Sequence, residues 1–251
     1  MTALEVTGLT KAFAGRTVLD GVDFTVQAGE LVAFLGANGS GKSTTLKCVM
    51  GLTTPDAGTI RLQGEDLGRL QGAARISARS KAAMVFQKIH LVPRRTAMEN
   101  VCSGGLLRAR GLASVSPAFF AKELKEEAMA CLDRVGLAGI ALERTGSLSG
   151  GQQQRVAVAR ALCQRASVLL ADEPVSALDP HAAEQVMALL AELAHAEDLA
   201  VAAVLHQPDL ALRYADRSIG LLQGKIAFDG GPGALTQDVL DTLYAPDRIA
   251  A

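Results

Sequence analysis

The sequence ELVAFLGANGSGKSTTLKCVM at residues 30–50 carries the clearest indication of the fold. It begins with an apolar run, ELVAFL, that has the length of a buried strand. It continues with GANGSGKS at residues 36–43, which fits the pattern G-x-x-x-x-G-K-[ST] at every position. Residues 44–50 then read as a helix. The order of strand, glycine-rich loop and helix predicts a phosphate-binding loop inside an α/β domain.

This loop offers several kinds of contact to the phosphates of a nucleotide. Its glycines let backbone N–H groups turn toward phosphate oxygens, and the following helix directs its positive end at the same anion. Lys42 adds a charge at the β- and γ-phosphates, and Ser43 offers its hydroxyl to Mg²⁺. The predicted nucleotide contacts are Gly36, Ala37, Asn38, Gly39, Ser40, Gly41, Lys42, Ser43 and Thr44.

A second motif, VLLADEP at residues 168–174, ends an apolar strand with two carboxylates. Ligands of α/β proteins bind at the carboxyl ends of parallel strands. Asp172 is suited to hold Mg²⁺, directly or through water. Glu173 is suited to orient and polarise an attacking water. The two motifs together predict nucleotide hydrolysis by positioning and charge neutralisation.

The rest of the chain divides into three parts. Residues 1–85 and 165–230 carry strand patterns and amphipathic helices such as 181–197, which predict an ATPase-type core with a mostly parallel sheet. Residues from about 66 to 142 lose the strand pattern and gain helical spacing, most clearly at 119–137, which predicts a helical insertion, and we place the helical subdomain at about 88 to 164. Residues 231–251 are interpreted as a short C-terminal tail of a single domain.

Composition excludes several classes of protein. A formal net charge of −1 argues against a strongly basic nucleic-acid-binding protein. No run approaches the roughly 20 apolar residues of a membrane span, and no signal peptide is apparent. The cysteines are scattered without a CxxC pair, which disfavours a metal site or a disulfide and fits a reducing cytosol: Cys48, Cys102, Cys131 and Cys163. Three histidines match no motif and are predicted to lie on the surface: His90, His181 and His195.

A further series of motifs surrounds the two described above. In chain order they are Gln87 in MVFQK, LSGGQQQR at 148–155, Asp179 in SALD and His206 in VLHQ. The series resembles the nucleotide-binding subunit of ABC transporters along essentially the whole chain. LSGGQ separates that class from other phosphate-loop ATPases. The resemblance implies an α/β fold with an antiparallel β subdomain and a helical signature subdomain, and it implies ATP and Mg²⁺ as ligands.

The resemblance also implies roles for single residues. Phe13 lies where the family has an aromatic residue, usually Tyr, that stacks on adenine. Gln87 would contact Mg²⁺ and the attacking water and sense the membrane partner. His206 would bond the γ-phosphate and hold the water of Glu173. Asp179 would lie at a subunit interface and link two active sites.

The signature motif implies that the chain acts in pairs. In the family's geometry Ser149, Gly150, Gly151 and Gln152 serve the ATP that is bound by a second ATPase subunit. The small residues let the backbone approach a γ-phosphate, and the helix that follows turns its positive end toward that charge. The resemblance thus implies a homodimer, docked on integral membrane permease subunits.

Two features narrow the type of ABC protein. The chain has one phosphate loop, one signature and no membrane span, so we expect a separate ATPase subunit of a bacterial importer, peripheral on the cytoplasmic face of the inner membrane. The stretches LVPRRTAMENV at 91–101 and 206–230 resemble the phosphonate importer ATPases. That subfamily works with a secreted substrate-binding protein and without nucleic acid.

Other ABC functions remain as alternatives. One is an importer ATPase for another small solute, such as an amino acid. A second is the ATPase of an export or lipoprotein-release complex. A third, disfavoured by the single ATPase core and the near-neutral charge, is a soluble ABC ATPase that acts on DNA or ribosomes.

Overall fold

The six-stranded sheet at the centre of the protein has the order β10-β9-β3-β8-β7-β6. The structure is a computed structural model that describes residues 1–108 and 120–249. The strands are β3 (Leu31–Leu35), β6 (Ala82–Val85), β7 (Val168–Asp172), β8 (Ala200–Val204), β9 (Arg217–Leu222) and β10 (Lys225–Gly230). All neighbours pair in parallel except β9 and β10, which are antiparallel. The predicted mostly parallel sheet is confirmed.

A second sheet is antiparallel, with the order β2-β1-β4-β5. Its strands are β1 (Thr2–Phe13), β2 (Arg16–Gln27), β4 (Ala57–Leu62) and β5 (Glu65–Asp66). The turn between β1 and β2 is the two-residue pair Ala14 and Gly15, both with positive φ (47° and 82°). Positive φ at both central residues is what a type I′ turn requires, whose twist matches the twist of a hairpin. The antiparallel β subdomain is therefore confirmed.

The two sheets enclose one core layer, and helices cover the outer face of the parallel sheet. Strand β3 shows this division, because a strand points successive side chains to opposite faces. Leu31, Ala33 and Leu35 join the core under the helices. Val32 and Phe34 join the core between the sheets, where the rings of Phe34 and Phe24 pack edge to face with their centres 5.1 Å apart. Both faces of β3 are buried, as is usual in parallel sheets.

Eight α-helices occur in the described residues. They are α1 (Lys42–Val49), α2 (Gly72–Arg79), α3 (Ala97–Cys102), α4 (Lys122–Arg134), α5 (Gly150–Cys163), α6 (Pro180–Glu197), α7 (Pro208–Tyr214) and α8 (Gln237–Ile249). Helices α3, α4 and α5 lie between β6 and β7 in the chain, where the sequence predicts a helical subdomain. No helix of residues 1–108 or 120–249 is long and apolar enough to span a membrane.

Local signals explain where the predicted helices begin and end. The pattern at 119–137 forms α4, although residue 119 lies outside the described residues. Its end coincides with Gly136, whose positive φ of 70° suits a glycine after a helix. Helix α6 begins one residue earlier than predicted because Asp179 caps it and Pro180 occupies its first position. The segment 231–251, interpreted as a tail, contains helix α8, which buries Leu243 at 1 % exposure.

Candidate nucleotide site

The phosphate loop joins β3 to α1 and curls around the side chain of Lys42. The Lys42 Nζ donates hydrogen bonds to the carbonyl oxygens of Gly36 (2.7 Å) and Ala37 (3.0 Å). The side chain is 5 % exposed. The exposed tip of the loop is formed by Asn38 and Gly39. The loop therefore surrounds a buried positive charge, as a phosphate-binding loop requires.

Two glycines of the loop are required by close packing. At Gly36, with φ +133°, an added Cβ would lie 2.2 Å from the carbonyl oxygen of Leu221 in β9. At Gly41, with φ +110°, an added Cβ would lie 2.6 Å from a methyl carbon of Leu19 in β2. Both φ values lie in the region that side chains rarely adopt. The loop is thus held between the two sheets, and no side chain fits at either position.

Two of the three residues predicted to contact the metal, Ser43 and Asp172, lie together, whereas Gln87 bonds Glu173. The Ser43 hydroxyl, at the start of α1, donates a 2.6 Å hydrogen bond to Asp172 Oδ1, at the end of β7. Asp172 is 7 % exposed, and residues 43 and 172 are 129 positions apart in the chain. Hydroxyl and carboxylate oxygens are ligands that suit Mg²⁺. The donor set therefore fits that ion.

Glu173 lies at the centre of a second cluster. Gln87 Nε2 donates to Glu173 Oε2 at 2.6 Å. His206 Nε2 lies 2.6 Å from Glu173 Oε1, and since an ionised carboxylate only accepts hydrogen bonds, the imidazole is the donor. Glu173 itself has a positive φ of 54°, an uncommon conformation for a residue other than glycine. Both carboxylate oxygens are thus engaged by predicted site residues.

Sheet order explains why these three side chains meet. Gln87 follows β6 by two residues, Glu173 follows β7 at once, and His206 follows β8 by two residues. Strands β6, β7 and β8 are neighbours and run in parallel. Their carboxyl ends therefore lie at one edge of the sheet, where ligands of α/β proteins bind. Ser176 was missed by the sequence analysis; it accepts a long contact from Gln87 (3.5 Å) and gave no sequence signal.

Phe13 lies at the tip of the β1–β2 hairpin and is 48 % exposed. The hairpin reaches the phosphate loop through strand pairing: Lys11 of β1 pairs with Leu19 of β2, and Leu19 packs against Gly41. The Lys11 ammonium lies 5.2 Å from the centre of the Phe13 ring. No sequence motif marks Lys11 as part of this region.

The signature residues form a separate group at the starts of α5 and α6. The Ser149 hydroxyl accepts from the Gln152 N–H, and the Gln152 side chain accepts from the Ser149 N–H, which together form a capping box. An added Cβ at Gly150 would lie 3.1 Å from Leu178, and one at Gly151 would lie 3.1 Å from Ala182. Asp179 accepts a hydrogen bond from the Ala182 N–H and caps α6. Leu178 and Ala182 were not identified from the sequence, because a contact between two helices leaves no local motif.

The three histidines that match no motif are exposed, as predicted. Two of them have local partners: His181 lies 2.8 Å from the side chain of Gln185, and His195 lies 3.0 Å from Asp216. They belong to the surface rather than to either site cluster.

Comparison with known proteins identifies the family. Residues 19–176, more than half of the chain, match the sequence model of the ABC transporter family. The chain belongs to the ABC transporter family. This ABC transporter chain is 47 % identical over 252 residues to the phosphonates import ATP-binding protein PhnC of Frankia casuarinae, covering 100 % of this chain and 99 % of that protein.

Two further relatives of this ABC transporter chain are informative. The hypophosphite import ATP-binding protein HtxD of Stutzerimonas stutzeri is 41 % identical over 242 residues, covering 96 % of this chain and 71 % of that protein. The dimeric structure of a post-hydrolysis state of the ATP-binding cassette MJ0796, bound to ADP and Pi, matches with a TM-score of 0.78 and 32 % identity, covering 91 % of this chain and 98 % of that one. The fold predicted from the sequence is that of this family.

Proposed function

We propose that this ABC protein is the ATP-hydrolysing subunit of an importer for phosphonate or a related phosphorus oxyanion. The observation that carries the ATPase part is the convergence of Gln87, Glu173 and His206 beside the phosphate loop. The relatives named for phosphonate and for hypophosphite import carry the substrate part. Their two substrates share a phosphorus oxyanion, so that class is the substrate we assign.

ATP would bind with its phosphates on the backbone of residues 36–44. Lys42 would exchange its bonds to the loop carbonyls for bonds to phosphate oxygens, which is favourable because both partners are charged. Ser43 and Asp172 would hold Mg²⁺ through their oxygens, and the ion would neutralise charge on the β- and γ-phosphates. The 2.6 Å bond between those two side chains supports this assignment.

Glu173 would act as the general base that orients the attacking water. A base must lie within hydrogen-bond reach of the proton it receives, and it must hold a defined orientation. Gln87 and His206 provide that orientation by bonding opposite carboxylate oxygens. When Gln87 or His206 turns toward ATP, it would release one carboxylate oxygen of Glu173 to water. The Glu173 carboxylate with both oxygens bonded therefore corresponds to a resting state.

A complete site would require a second copy of the chain. Ser149 caps the 14-residue helix α5, which begins at Gly150 and whose positive end favours an anion such as the γ-phosphate. Helix α5 begins next to Asp179, because Gly150 and Gly151 leave room for Leu178 and Ala182. That packing would place the signature, which contacts one ATP site, next to Asp179, which faces the other ATP site. The dimeric cassette MJ0796 supports a homodimer.

The permease would dock on the surface that follows Gln87. This surface contains a cleft lined by Gln87, Ile89, His90, Leu91, Pro93, Thr145, Gly146 and Gln153. Val92, which lies in the chain between the lining residues Leu91 and Pro93, is 53 % exposed. Exposed apolar side chains next to a cleft are typical of protein interaction sites. Because Gln87 bonds Glu173 and also lines the cleft, docking of the permease would change the position of the Glu173 carboxylate. Docked in this way, the chain would be peripheral on the cytoplasmic face of a bacterial membrane.

Growth on defined phosphorus sources tests the proposal. A strain that lacks the gene should fail to grow on a phosphonate as sole phosphorus source and should grow on inorganic phosphate. The wild-type gene should restore growth, and the Lys42→Ala variant should not. Growth of the deletion strain on phosphonate at the parental rate would contradict the substrate assignment. ATP hydrolysis by the purified chain, with loss in Lys42→Ala, tests the ATPase part separately.

A further inference from the structure

Asp56 forms hydrogen bonds with each of the three residues that precede Phe13. The Asp56 N–H donates to the Thr10 carbonyl oxygen at 2.9 Å. Its carboxylate accepts from the Lys11 ammonium at 2.7 Å through Oδ1 and from the Ala12 N–H at 2.7 Å through Oδ2. One residue directly before β4 thus fixes the end of β1 at three successive positions.

Lys11 is held against one face of the Phe13 ring. Lys11 and Phe13 lie two residues apart near the end of β1, where the pairing with β2 shifts between Lys11 and Ala12, and their side chains are in direct contact. The Lys11 Nζ lies 5.2 Å from the ring centre, within the distance of a cation–π contact. The Lys11 side chain is 14 % exposed, whereas Phe13 remains 48 % exposed. One side of the ring is therefore occupied by a fixed cation while much of the ring stays open to solvent.

This arrangement gives the aromatic ring a defined position at the phosphate loop. An exposed Phe at a hairpin tip would otherwise rotate or fold onto neighbouring apolar surface. A cation on one face also draws π-electron density toward it, which favours an electron-rich purine on the opposite face. Phe has no hydroxyl, so its contribution to base binding comes from stacking alone.

We propose that Lys11 and Asp56 are positioning residues for the nucleotide base, which hold Phe13 so that its open face stacks on the adenine ring. The inference rests on the proposed binding of ATP at residues 36–44. It assigns the two residues to base recognition, and it leaves the phosphate contacts to the loop.

Binding measurements with and without the base test the proposal. Calorimetry on the full chain would compare ATP with inorganic tripolyphosphate, both without Mg²⁺ so that hydrolysis does not occur. Lys11→Met should weaken ATP binding about three- to tenfold, the size of a partly desolvated cation–π contact, and leave tripolyphosphate binding unchanged. Lys11→Arg should restore ATP affinity, since a guanidinium also stacks on aromatic faces and pairs with carboxylates. Asp56→Asn should weaken ATP binding in the same direction.

The control and the double variant separate positioning from folding. Arg61→Met removes the other ion pair between β1 and β4, the 3.2 Å contact of Arg61 with Glu5, and should leave both affinities unchanged. In a Phe13→Leu background, Lys11→Met should have no further effect on ATP affinity. The proposal is overturned by wild-type ATP affinity in Lys11→Met, by an equal loss of tripolyphosphate binding, or by a loss that persists without Phe13. If the wild-type chain binds tripolyphosphate but not ATP, the result contradicts the proposed function itself, independently of any role of Lys11 and Asp56.

Discussion

Gly36 and Gly39 lie in the same loop and provide a matched pair of alanine substitutions. Both have positive φ, +133° and +75°. An added Cβ at Gly36 would lie 2.2 Å from the Leu221 carbonyl oxygen, whereas at Gly39 no neighbouring atom lies within 4 Å. Both substitutions therefore place a Cβ at positive φ, with more backbone strain at +133° than near the left-handed region, and they differ most in steric overlap.

The structure sets the expected magnitudes. Gly39→Ala should cost about 1–2 kcal/mol, the usual penalty for a left-handed conformation with a Cβ. Gly36→Ala should cost about 1–3 kcal/mol of strain and a further 1–3 kcal/mol of overpacking. The overlap is with backbone, and Leu221 is fully buried at 0 % exposure in a strand paired on both sides, so the neighbour has little freedom to move.

Urea denaturation of the two variants without nucleotide would measure these costs. Omitting nucleotide removes any contribution of ligand binding to the stability. We expect Gly36→Ala to lose at least about 1 kcal/mol more than Gly39→Ala, since the overlap adds that much at minimum. Equal losses in the two variants would contradict the close packing of β9 against the loop.

Two further predictions concern buried groups. Burial raises the pKa of the Cys48 and Cys102 thiols to about 11. Both thiols should therefore resist alkylation by iodoacetamide at mildly alkaline pH in the native chain and react after denaturation. Modification of either thiol in the native chain at the denatured rate would contradict the burial. Asn100, 3 % exposed, accepts a hydrogen bond from the Val92 N–H and donates to the Val92 carbonyl and to Thr145. Asn100→Asp should therefore lower the free energy of unfolding by at least about 2 kcal/mol, and a loss below about 0.5 kcal/mol would contradict this network of hydrogen bonds.

The local motifs could be predicted because their chemistry depends on neighbouring residues. The order of strand, glycine loop and helix around Lys42 needs only a short contiguous stretch, and the carboxylates Asp172 and Glu173 follow directly from an apolar run. The confirmed fold class rests on the same signals, repeated along the chain. Helix α6 was predicted to within one residue because its cap and its apolar stripe are both visible in the sequence.

The assembly of the site depends on sheet order, which no local pattern contains. Gln87 and Glu173 are 86 positions apart, and they meet only because β6 lies beside β7. The resemblance to the family supplied that juxtaposition. The contact of Lys11 with Asp56 across 45 positions is of the same kind and was not predicted. Contacts between distant segments are set by tertiary packing, and a single sequence does not encode them in a readable pattern.

Glu173 provides the most direct test of the central claim, which is that this chain hydrolyses ATP as a pair with Glu173 as the base. Hydrolysis and mass by light scattering would be measured for Glu173→Gln with Mg²⁺ and ATP. We expect ATP binding to persist, hydrolysis to fall by about 10²–10⁴-fold, and a dimer to accumulate that is absent without ATP. Hydrolysis at the wild-type rate would contradict the role of Glu173, and a monomer that persists with bound ATP would contradict the shared site.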